Sequence, residues 1–272
     1  MKKTGWEIKP IIISALTLIL TVAIGVCIGL AIKGCDGGSK KSKVSFTTDN
    51  YKYKTDISDV KDILNTTDEK YLLLVNKEKT VDESYTPDDL VTLAKQYAAK
   101  DSIQLQKAAA EAVCALIDEM RANGFDSIAV TSGYRTYTYQ ESLYNQYINN
   151  EKEAHPDWDI GKIEEYVQTY SAKPGTSEHH TGLCVDFITP EMKGQLFNYN
   201  GENTAGGVGF AETEEFEWLK DNAHKFGFIL RYPEGDKKIT GYDYESWHYR
   251  FVGVNAASKI YENKITLEEY LK

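Results

Sequence analysis

The chain has 272 residues, of which 42% are hydrophobic and 26% charged, and its mean hydropathy is −0.45. This composition is typical of a globular protein and excludes a disordered chain, a collagen-like chain and a polytopic membrane protein. Residues 1–43 carry a net charge of +5 (seven lysines against Glu7 and Asp36), so the remaining 229 residues carry −15 of the total of −10. Nucleic-acid binding needs clustered lysine and arginine, and we therefore expect no nucleic-acid partner.

The N-terminal segment predicts a membrane anchor. Residues 11–32 are uncharged and mostly aliphatic, and a helix of this length spans about 33 Å, enough to cross a hydrocarbon core of about 30 Å. A signal-peptide core is usually only about 7–15 residues long, which favours an uncleaved transmembrane helix. Lysines flank the segment on both sides, so charge alone gives no orientation. Residues 33–67 are polar and predict a tether or a loosely packed leader.

The remaining residues, 68–272, predict one α+β domain with a small antiparallel sheet flanked by helices, because strand and helix patterns alternate with short connections. In chain order, the predicted elements are a strand at Tyr71–Val75, a helix at Leu105–Asn123 ending at Gly124, a strand at Ser127–Thr131, a helix from Tyr137 to about Glu153, a helix at Ile160–Tyr170, a strand at Leu183–Ile188, a helix at Glu214–Phe226 ending at Gly227, a strand at Phe228–Tyr232, a strand at Trp247–Phe251, and helices at Asn255–Asn263 and Thr266–Leu271.

Two short segments bring histidines and carboxylates together: SEHHTGLCVD at 177–186 and ESWH at 245–248. A catalytic zinc site needs three ligands from imidazole and carboxylate side chains and an open position for water. His179, Asp186 and His248 form such a set. Glu245, three residues before His248, can act as a proton acceptor if the chain turns or bulges between the two residues. Arg135, at a strand-to-helix turn, is the candidate cation for a substrate carboxylate or a developing oxyanion.

Taken alone, each of these residues has an ordinary structural explanation. A buried His–Asp pair is more often structural than metal-binding, and an arginine at a turn is usually solvated. A serine hydrolase using Ser132 or Ser177 is disfavoured, because the sequence has no Gly-x-Ser-x-Gly elbow. The metal site is therefore favoured only by the ordered combination of segments.

That combination resembles a known family. The matching segments are SGYRTYTYQESLYNQY (132–147), PGTSEHHTGLCVDF (174–187), GFILRYP (227–233) and ESWHYRFVG (245–253). Together they are similar to VanY-type D-alanyl-D-alanine carboxypeptidases, zinc metallopeptidases that trim peptidoglycan stem peptides. The resemblance runs from about residue 71 to residue 271, and its signature, Ser-x-His-x-x-Gly-x-Ala-x-Asp followed by Glu-x-x-His, is long and specific.

Carried over by position, the resemblance implies a single zinc-peptidase domain. His179, Asp186 and His248 would be the zinc ligands and Glu245 the general base. Arg135 would be the cation that binds the substrate and stabilises the transition state.

Other positions follow from the same resemblance. Ser177 and Gln140 correspond to substrate-contacting positions. Cys184 stands where the family usually has alanine, and we expect this small side chain to point into the core with little effect. His180 follows a ligand directly and is expected to face away from the metal.

The function implied is removal of the C-terminal D-alanine from stem pentapeptides. The alternatives are L,D-carboxypeptidase action on tetrapeptide stems and a non-catalytic module that binds cell-wall peptides, although the intact set of site residues gives the latter no support. Cell-wall peptides lie outside the cytoplasmic membrane. We therefore expect residues 1–10 in the cytoplasm, residues 11–32 as a single-pass anchor in the cell membrane, and the catalytic domain outside.

Overall fold

The structure, a computed structural model, describes residues 44–192 and 209–272. The predicted anchor at residues 11–32 lies outside the described residues. Within the described ranges, no helix combines the length and apolar character needed to cross a bilayer.

A small antiparallel sheet carries the residues of interest. The strands of the described ranges are β1 (Leu90–Thr92), β2 (Gln104–Gln106), β3 (Ala129–Ser132), β4 (Cys184–Ile188), β5 (Phe228–Leu230) and β6 (His248–Phe251). β1 and β2 form a two-stranded antiparallel pair, and the other four form a sheet in the order β3-β4-β6-β5 with every neighbouring pair antiparallel. In the central pair the register places Asp186 of β4 opposite His248 of β6.

Helices surround this sheet, which confirms the predicted α+β class. The α-helices of the described ranges are α1 (Lys61–Leu64), α2 (Lys107–Ala122), α3 (Tyr137–Ala154), α4 (Ile160–Val167), α5 (Glu214–Asn222), α6 (Lys237–Thr240), α7 (Val254–Asn263) and α8 (Leu267–Tyr270). Two predicted helices are shorter than expected. α4 ends at Val167, and the chain beyond α5 tightens into a 3-10 turn at Ala223–Phe226.

Helix α2 is the main helix of the core, and its inward face is lined by small and aliphatic side chains: Ala109, Ala112, Val113, Leu116, Ile117 and Met120. The helix ends as predicted at Gly124, whose φ of 98° is readily accessible only to glycine. The Gly124 N–H donates to Arg121 O at 2.9 Å and the Phe125 N–H to Met120 O at 3.0 Å. These are the two hydrogen bonds of a Schellman motif, so backbone geometry fixes the end of the helix.

Residues 44–67, which the sequence pattern predicts as part of a tether over residues 33–67, pack on the domain instead. Leu64 is fully buried in the main core. The Glu119 carboxylate of α2 accepts hydrogen bonds from the backbone N–H groups of Lys54 and Thr55, both at 2.9 Å, and from Thr55 Oγ1 at 2.7 Å. The folded domain therefore begins before residue 68. The apolar residues of this segment follow no helical or strand period, so the sequence pattern does not mark them as packed.

The strand predicted at Tyr71–Val75 is wrong. The chain forms a 3-10 turn at Glu69–Leu72 instead, and the Tyr71 and Leu73 carbonyls accept hydrogen bonds from Arg250 Nη2 at 2.9 and 2.8 Å. A buried arginine thus satisfies carbonyl groups that would otherwise need a neighbouring strand.

Candidate active site

A pocket of about 210 Å³ opens over the sheet. Its lining includes every site residue predicted from the sequence: Arg135, Gln140, Ser177, His179, Asp186, Glu245 and His248. These side chains come from the two strands β4 and β6, the start of α3, and the loops and 3-10 turn that lead into these elements. The fold therefore brings together residues that are up to 113 positions apart in the sequence.

His179 sits in a 3-10 turn, Glu178–Thr181, just before β4. The turn ends at Gly182, which has a φ of 65°, and a side chain there would press against Leu90 at 3.0 Å. His179 Nδ1 lies 2.7 Å from the Gly133 carbonyl oxygen. Because a carbonyl can only accept, Nδ1 carries the proton, and the lone pair on Nε2 faces the pocket.

His248 is oriented by the same kind of contact. Its Nε2 lies 3.2 Å from Glu178 Oε2, so the proton resides on Nε2 and the Nδ1 lone pair faces the pocket. Asp186 lies between the two imidazoles, with Oδ2 at 3.2 Å from His179 Nε2 and Oδ1 at 3.0 Å from His248 Nδ1. Asp186 is 2% exposed, and its Oδ1 accepts no hydrogen bond from any described residue.

This donor set fits a zinc ion. Two imidazole lone pairs and a carboxylate converge at separations of 3.0 and 3.2 Å, close to the distance of about 3.3 Å between neighbouring ligands of a tetrahedral zinc. With both imidazole protons directed outward, the facing lone pairs and the carboxylate need a cation between them. The structure thus brings the three predicted ligands together, and their chemistry agrees with the zinc cofactor expected from the sequence.

Glu245 lies beside this group. The chain turns between Glu245 and β6, with His248 N donating to Glu245 O at 3.2 Å, which is the turn that the sequence spacing requires. Glu245 Oε2 lies 3.5 Å from His248 Nδ1. Burial raises the pKa of Glu245 to about 7, an effect that the Asp186 charge reinforces and His248 opposes. A carboxyl group with such a pKa can both accept and return a proton near neutral pH.

Arg135 follows β3 at the opposite side of the pocket. Its Nη2 donates to Asp186 Oδ2 at 3.1 Å and to Ser132 Oγ at 2.9 Å, and its Nη1 donates to Gln140 Oε1 at 3.3 Å. The side chain remains 20% exposed, so the guanidinium is held in place with a face open to the pocket. Gln140 is buried and also donates from Nε2 to Ala172 O at 2.8 Å. Its amide therefore braces Arg135 at the pocket wall.

Comparisons with known proteins agree with this geometry. Residues 102–254 match the family described as VanY: D-alanyl-D-alanine carboxypeptidase. This chain belongs to the VanY family. The carboxypeptidase assignment made from the motifs is therefore confirmed. Among its relatives, the Bacillus subtilis (strain 168) protein YodJ is 36% identical over 207 residues, which cover 75% of this chain and 68% of YodJ.

Two solved structures share the fold. One is a vancomycin-resistance D,D-pentapeptidase, a VanY mutant from a VanB-type resistance cassette in complex with Zn(II). It is 32% identical with a TM-score of 0.60, covering 75% of this chain and 100% of that chain. The other is the LD-carboxypeptidase LdcB, 34% identical with a TM-score of 0.60, covering 76% of this chain and 88% of that chain. The VanY-type α+β domain is thus established for the described residues.

Ser177 and His180 occupy different settings within this VanY-type site. Ser177 is 3% exposed, precedes the turn that carries His179 and lines the pocket. His180 faces away from the metal donors, as the sequence predicts. Its Nδ1 donates to Arg135 O at 2.8 Å, and its Nε2 accepts from the Gly175 N–H at 3.1 Å. His180 thus ties two loops of the pocket wall together.

Sequence reasoning missed the role of Glu178, which lies fully buried behind the site. Its Oε1 accepts from Arg231 Nε at 2.8 Å and from Arg250 Nη1 at 2.7 Å, while its Oε2 faces His248. Arg231 in turn makes a bidentate pair with Glu268 of α8, at 2.9 and 2.7 Å. We refer to these four charged residues, Glu178, Arg231, Arg250 and Glu268, as the buried charge cluster. The signal in the sequence was the pair of arginines within apolar strand patterns, since a buried arginine requires a buried acid.

Cys184 also differs from expectation. The sequence predicts a side chain that points into the core, but on β4 Cys184 precedes Asp186 by two residues and so lies on the same face of the strand. The side chain is fully buried, and its Sγ and the ligand nitrogens of His179 and His248 all lie within 4.8 Å of one another. The thiol therefore points toward the metal donors.

Proposed function

We propose that this protein is a zinc-dependent D,D-carboxypeptidase that removes the C-terminal D-alanine from peptidoglycan stem pentapeptides. The observation that carries the proposal is the juxtaposition in one pocket of a convergent His–Asp–His donor set with Glu245, whose raised pKa suits proton transfer. Membership of the VanY family and the similarity to a D,D-pentapeptidase support the choice of substrate.

The residues take separate roles in this reaction. His179, Asp186 and His248 would hold the zinc, which would supply Lewis-acid polarisation of the scissile carbonyl and lower the pKa of water. Glu245 accepts the proton of the attacking water at its carboxylate and returns it to the nitrogen of the leaving D-alanine. Arg135 presents its guanidinium to the developing anion and to the substrate carboxylate.

Ser177 and Gln140 complete the proposed site. Ser177 lines the pocket with a hydroxyl available to the peptide backbone of the substrate. Gln140 acts through Arg135, because its amide oxygen already accepts from Arg135 Nη1. Fixing the guanidinium before the substrate arrives reduces the entropy lost on binding.

The proposed location follows from the substrate. A cell-wall peptide is reached from outside the cytoplasmic membrane, so residues 11–32 would anchor the chain with residues 1–10 in the cytoplasm. Protease added to intact cells should then cut the catalytic domain while a cytoplasmic control protein survives. Protection of the catalytic domain until the cells are lysed would contradict this topology.

Cleavage of tetrapeptide stems by an L,D-carboxypeptidase is the second candidate. The observation that favours it is the similarity to LdcB, whose TM-score of 0.60 equals that of the D,D-pentapeptidase. Both activities would use the same donor set and base, and they differ in the stereochemistry of the residue on the amino side of the cut.

One experiment separates the two candidates. The zinc-loaded full chain is incubated with a stem pentapeptide and, separately, with a stem tetrapeptide, and the products are identified by mass spectrometry with and without EDTA. We expect loss of one D-alanine from the pentapeptide, abolished by EDTA. Cleavage of the tetrapeptide alone would replace the D,D assignment with the L,D assignment. Cleavage of neither peptide would overturn both.

A further inference from the structure

Tyr232 lines the active-site pocket, but the proposed mechanism gives its hydroxyl no role. The side chain is buried, with 4% of its surface exposed. Its hydroxyl forms no hydrogen bond with any described residue. It is nevertheless not one of the unpaired side-chain atoms that are sealed from solvent, which include the hydroxyls of Tyr144 and Tyr249. The small exposed surface of Tyr232 therefore includes its hydroxyl, and this surface opens to the active-site pocket.

Neighbouring contacts hold the Tyr232 ring beside the metal donors. Its ring centroid lies 4.9 Å from that of His248 and 5.0 Å from that of Tyr242. The Tyr232 carbonyl oxygen accepts a hydrogen bond from the Glu245 N–H at 3.1 Å. The guanidinium carbon of Arg231 lies 4.8 Å from the centroid of the Tyr232 ring. The phenol is therefore presented to the pocket in a fixed position, next to one metal ligand and the proposed base.

We propose that Tyr232 is a further catalytic residue, whose hydroxyl donates a hydrogen bond to the tetrahedral anion of the reaction. When water adds to the scissile carbonyl, its oxygen bonds to the carbonyl carbon, the π electrons move to the carbonyl oxygen, and one water proton passes to Glu245. The peptide carbonyl is uncharged before this step, and the negative charge develops during it. A fixed donor therefore stabilises the transition state more than the bound substrate, and this difference raises kcat.

Tyr232 and Arg135 act on this anion from different sides of the pocket. Arg135 follows β3, whereas Tyr232 adjoins Glu245 and His248. The guanidinium contributes a positive charge, and the neutral phenol contributes one directed O–H donor without adding charge. The inference rests on the proposed function, and it holds for both stem-peptide cuts because each passes through a tetrahedral anion.

Tyr242 provides a matched control in the same pocket. Its ring packs against that of Tyr232, and both residues line the pocket. The Tyr242 hydroxyl, however, already donates to Thr176 O at 3.1 Å. Tyr232→Phe and Tyr242→Phe each remove one hydroxyl from the same pair of rings. Only the first variant removes a donor that is free to reach the substrate.

Steady-state kinetics of the zinc-loaded full chain test the proposal, with whichever stem peptide the wild type cleaves. We expect Tyr232→Phe to lower kcat by about 10²–10³-fold, the range for losing one oxyanion donor, and to leave KM within about threefold of the wild-type value. Tyr242→Phe should lower kcat by no more than about threefold. Zinc content should match that of the wild type in both variants, because neither hydroxyl belongs to a metal ligand.

A transition-state analogue gives a second readout. A stem-peptide analogue with a phosphinate in place of the scissile peptide bond carries a stable tetrahedral anion. Its inhibition constant should rise in Tyr232→Phe by the same factor by which kcat/KM falls. A crystal structure of the wild type with this analogue measures the contact without any variant. We expect the Tyr232 hydroxyl oxygen at about 2.5–3.0 Å from a phosphinate oxygen.

Four results would overturn the proposal. These are a kcat/KM of Tyr232→Phe within about threefold of the wild-type value, equal losses in Tyr232→Phe and Tyr242→Phe, a loss confined to KM, and a distance above about 3.5 Å in the phosphinate complex. If Tyr232→Phe did not fold, the crystal structure would decide alone. A wild type that cleaves neither peptide would remove the proposed function itself, whereas an active wild type with an equally active Tyr232→Phe would reject Tyr232 alone.

Discussion

Two glutamates lie against His248, in addition to the metal-site carboxylate of Asp186, and the protein buries them in opposite ways. Glu178 is enclosed by the buried charge cluster. Burial acts to raise its pKa, but the Arg231 and Arg250 charges and the His248 hydrogen bond together hold the pKa well below its usual range. Glu245 faces the pocket, and its Oε2 lies 3.5 Å from His248 Nδ1. Burial raises the pKa of Glu245 to about 7.

The difference shows how one residue type performs two tasks at one metal ligand. Behind His248, every charge is paired, so the imidazole is held in one tautomer and one orientation. In front of it, a carboxylate with a displaced pKa keeps the capacity to exchange a proton. Variants that alter one side at a time should therefore have separable effects on catalysis, metal affinity and stability.

The largest effect is expected for Glu245→Gln. The amide keeps the size of the side chain but cannot accept the proton of the attacking water, so kcat/KM should fall by about 10²–10⁴-fold. Zinc content, measured by elemental analysis, should stay at the wild-type level because Glu245 is not a ligand. Glu217→Gln, which changes an exposed carboxylate paired with Lys220 at 2.9 Å, is the matched control. A Glu245→Gln enzyme with more than a tenth of wild-type activity would remove Glu245 from the role of base.

Variants of Arg135 test the same pocket-facing side of the site, and we expect them to lower kcat/KM somewhat less than Glu245→Gln does. Arg135→Ala removes the cation that faces the pocket, and kcat/KM should fall by about 10²–10³-fold, the range for losing one group that stabilises a developing oxyanion. Arg135→Lys keeps the charge but loses the planar fork that reaches Ser132, Gln140 and Asp186, so it should recover only part of the rate. Equal kcat/KM values for the alanine and lysine variants would show that the charge contributes nothing.

Glu178→Gln tests the enclosed side. It leaves Arg231 and Arg250 without their shared carboxylate, so the free energy of unfolding should fall by about 3–5 kcal/mol. His248 also loses its charged partner, and zinc affinity should fall by about 10–100-fold. Urea unfolding of the metal-free protein and chelator competition measure the two effects.

Glu268→Gln is the matched control for that variant. Glu268 pairs with Arg231 at 2.7 Å, and its hydrogen bonds are with Arg231 and Asn76 rather than with His248. It should therefore lower stability while zinc affinity stays close to the wild-type value. If both variants weakened zinc binding equally, the loss would reflect general loosening of the fold, and Glu178 would have no specific role in orienting His248.

The spacing of site residues was predictable because local chain geometry fixes it. His179, Asp186, Glu245 and His248 lie in two short segments, and strand and turn geometry fixes the spacing within each segment. That the two segments meet at one metal site was implied by the resemblance to the VanY family. The buried charge cluster was not predictable in the same way. Glu178 reaches Arg231 and Arg250 across 53 and 72 residues of sequence, and no local pattern reports such a pairing.

The direction of Cys184 was misjudged for a related reason. Its apolar neighbours indicated a core strand, but which face of that strand meets the core depends on register. Cys184 and Asp186 are two residues apart on β4, so strand alternation places Cys184 on the same face as Asp186, the face toward the metal donors. The packing of residues 44–67 was also not predictable from the sequence. It involves Glu119, the one acid among the buried residues of α2, and the contacts of Glu119 with residues 54 and 55 are visible only in the structure.

His224 is a third buried ionisable group, and it does not line the active-site pocket. Changing it should have the smallest effect of the variants described here. His224 is 5% exposed, its ring stacks on Tyr261 with centroids 3.9 Å apart, and its Nδ1 has no hydrogen-bond partner among the described residues. Burial lowers the pKa of His224 from 6.5 to about 4, and the Lys225 charge adds to the shift. Like Glu245, His224 is buried in a way that disfavours its charged form, but it does not belong to the metal-donor group found among the described residues.

The consequence for His224 is a pH-dependent loss of stability. Above about pH 6.5 the imidazole is neutral in both the folded and unfolded states. As the pH falls from about 6.5 to about 4, the unfolded state binds a proton before the folded state does, so the free energy of unfolding decreases by about 1–3 kcal/mol. His224→Phe keeps the ring stack and removes the titration, so urea unfolding between pH 7 and pH 4 should show a shallower decline than in the wild type. If the free energy of unfolding declined equally with pH in the two proteins, the pKa of His224 would be the same in the folded and unfolded states. Burial of the imidazole would then be insufficient to shift its pKa. In that case the raised pKa of Glu245 would have to depend on its charged neighbours in the pocket, Asp186 foremost.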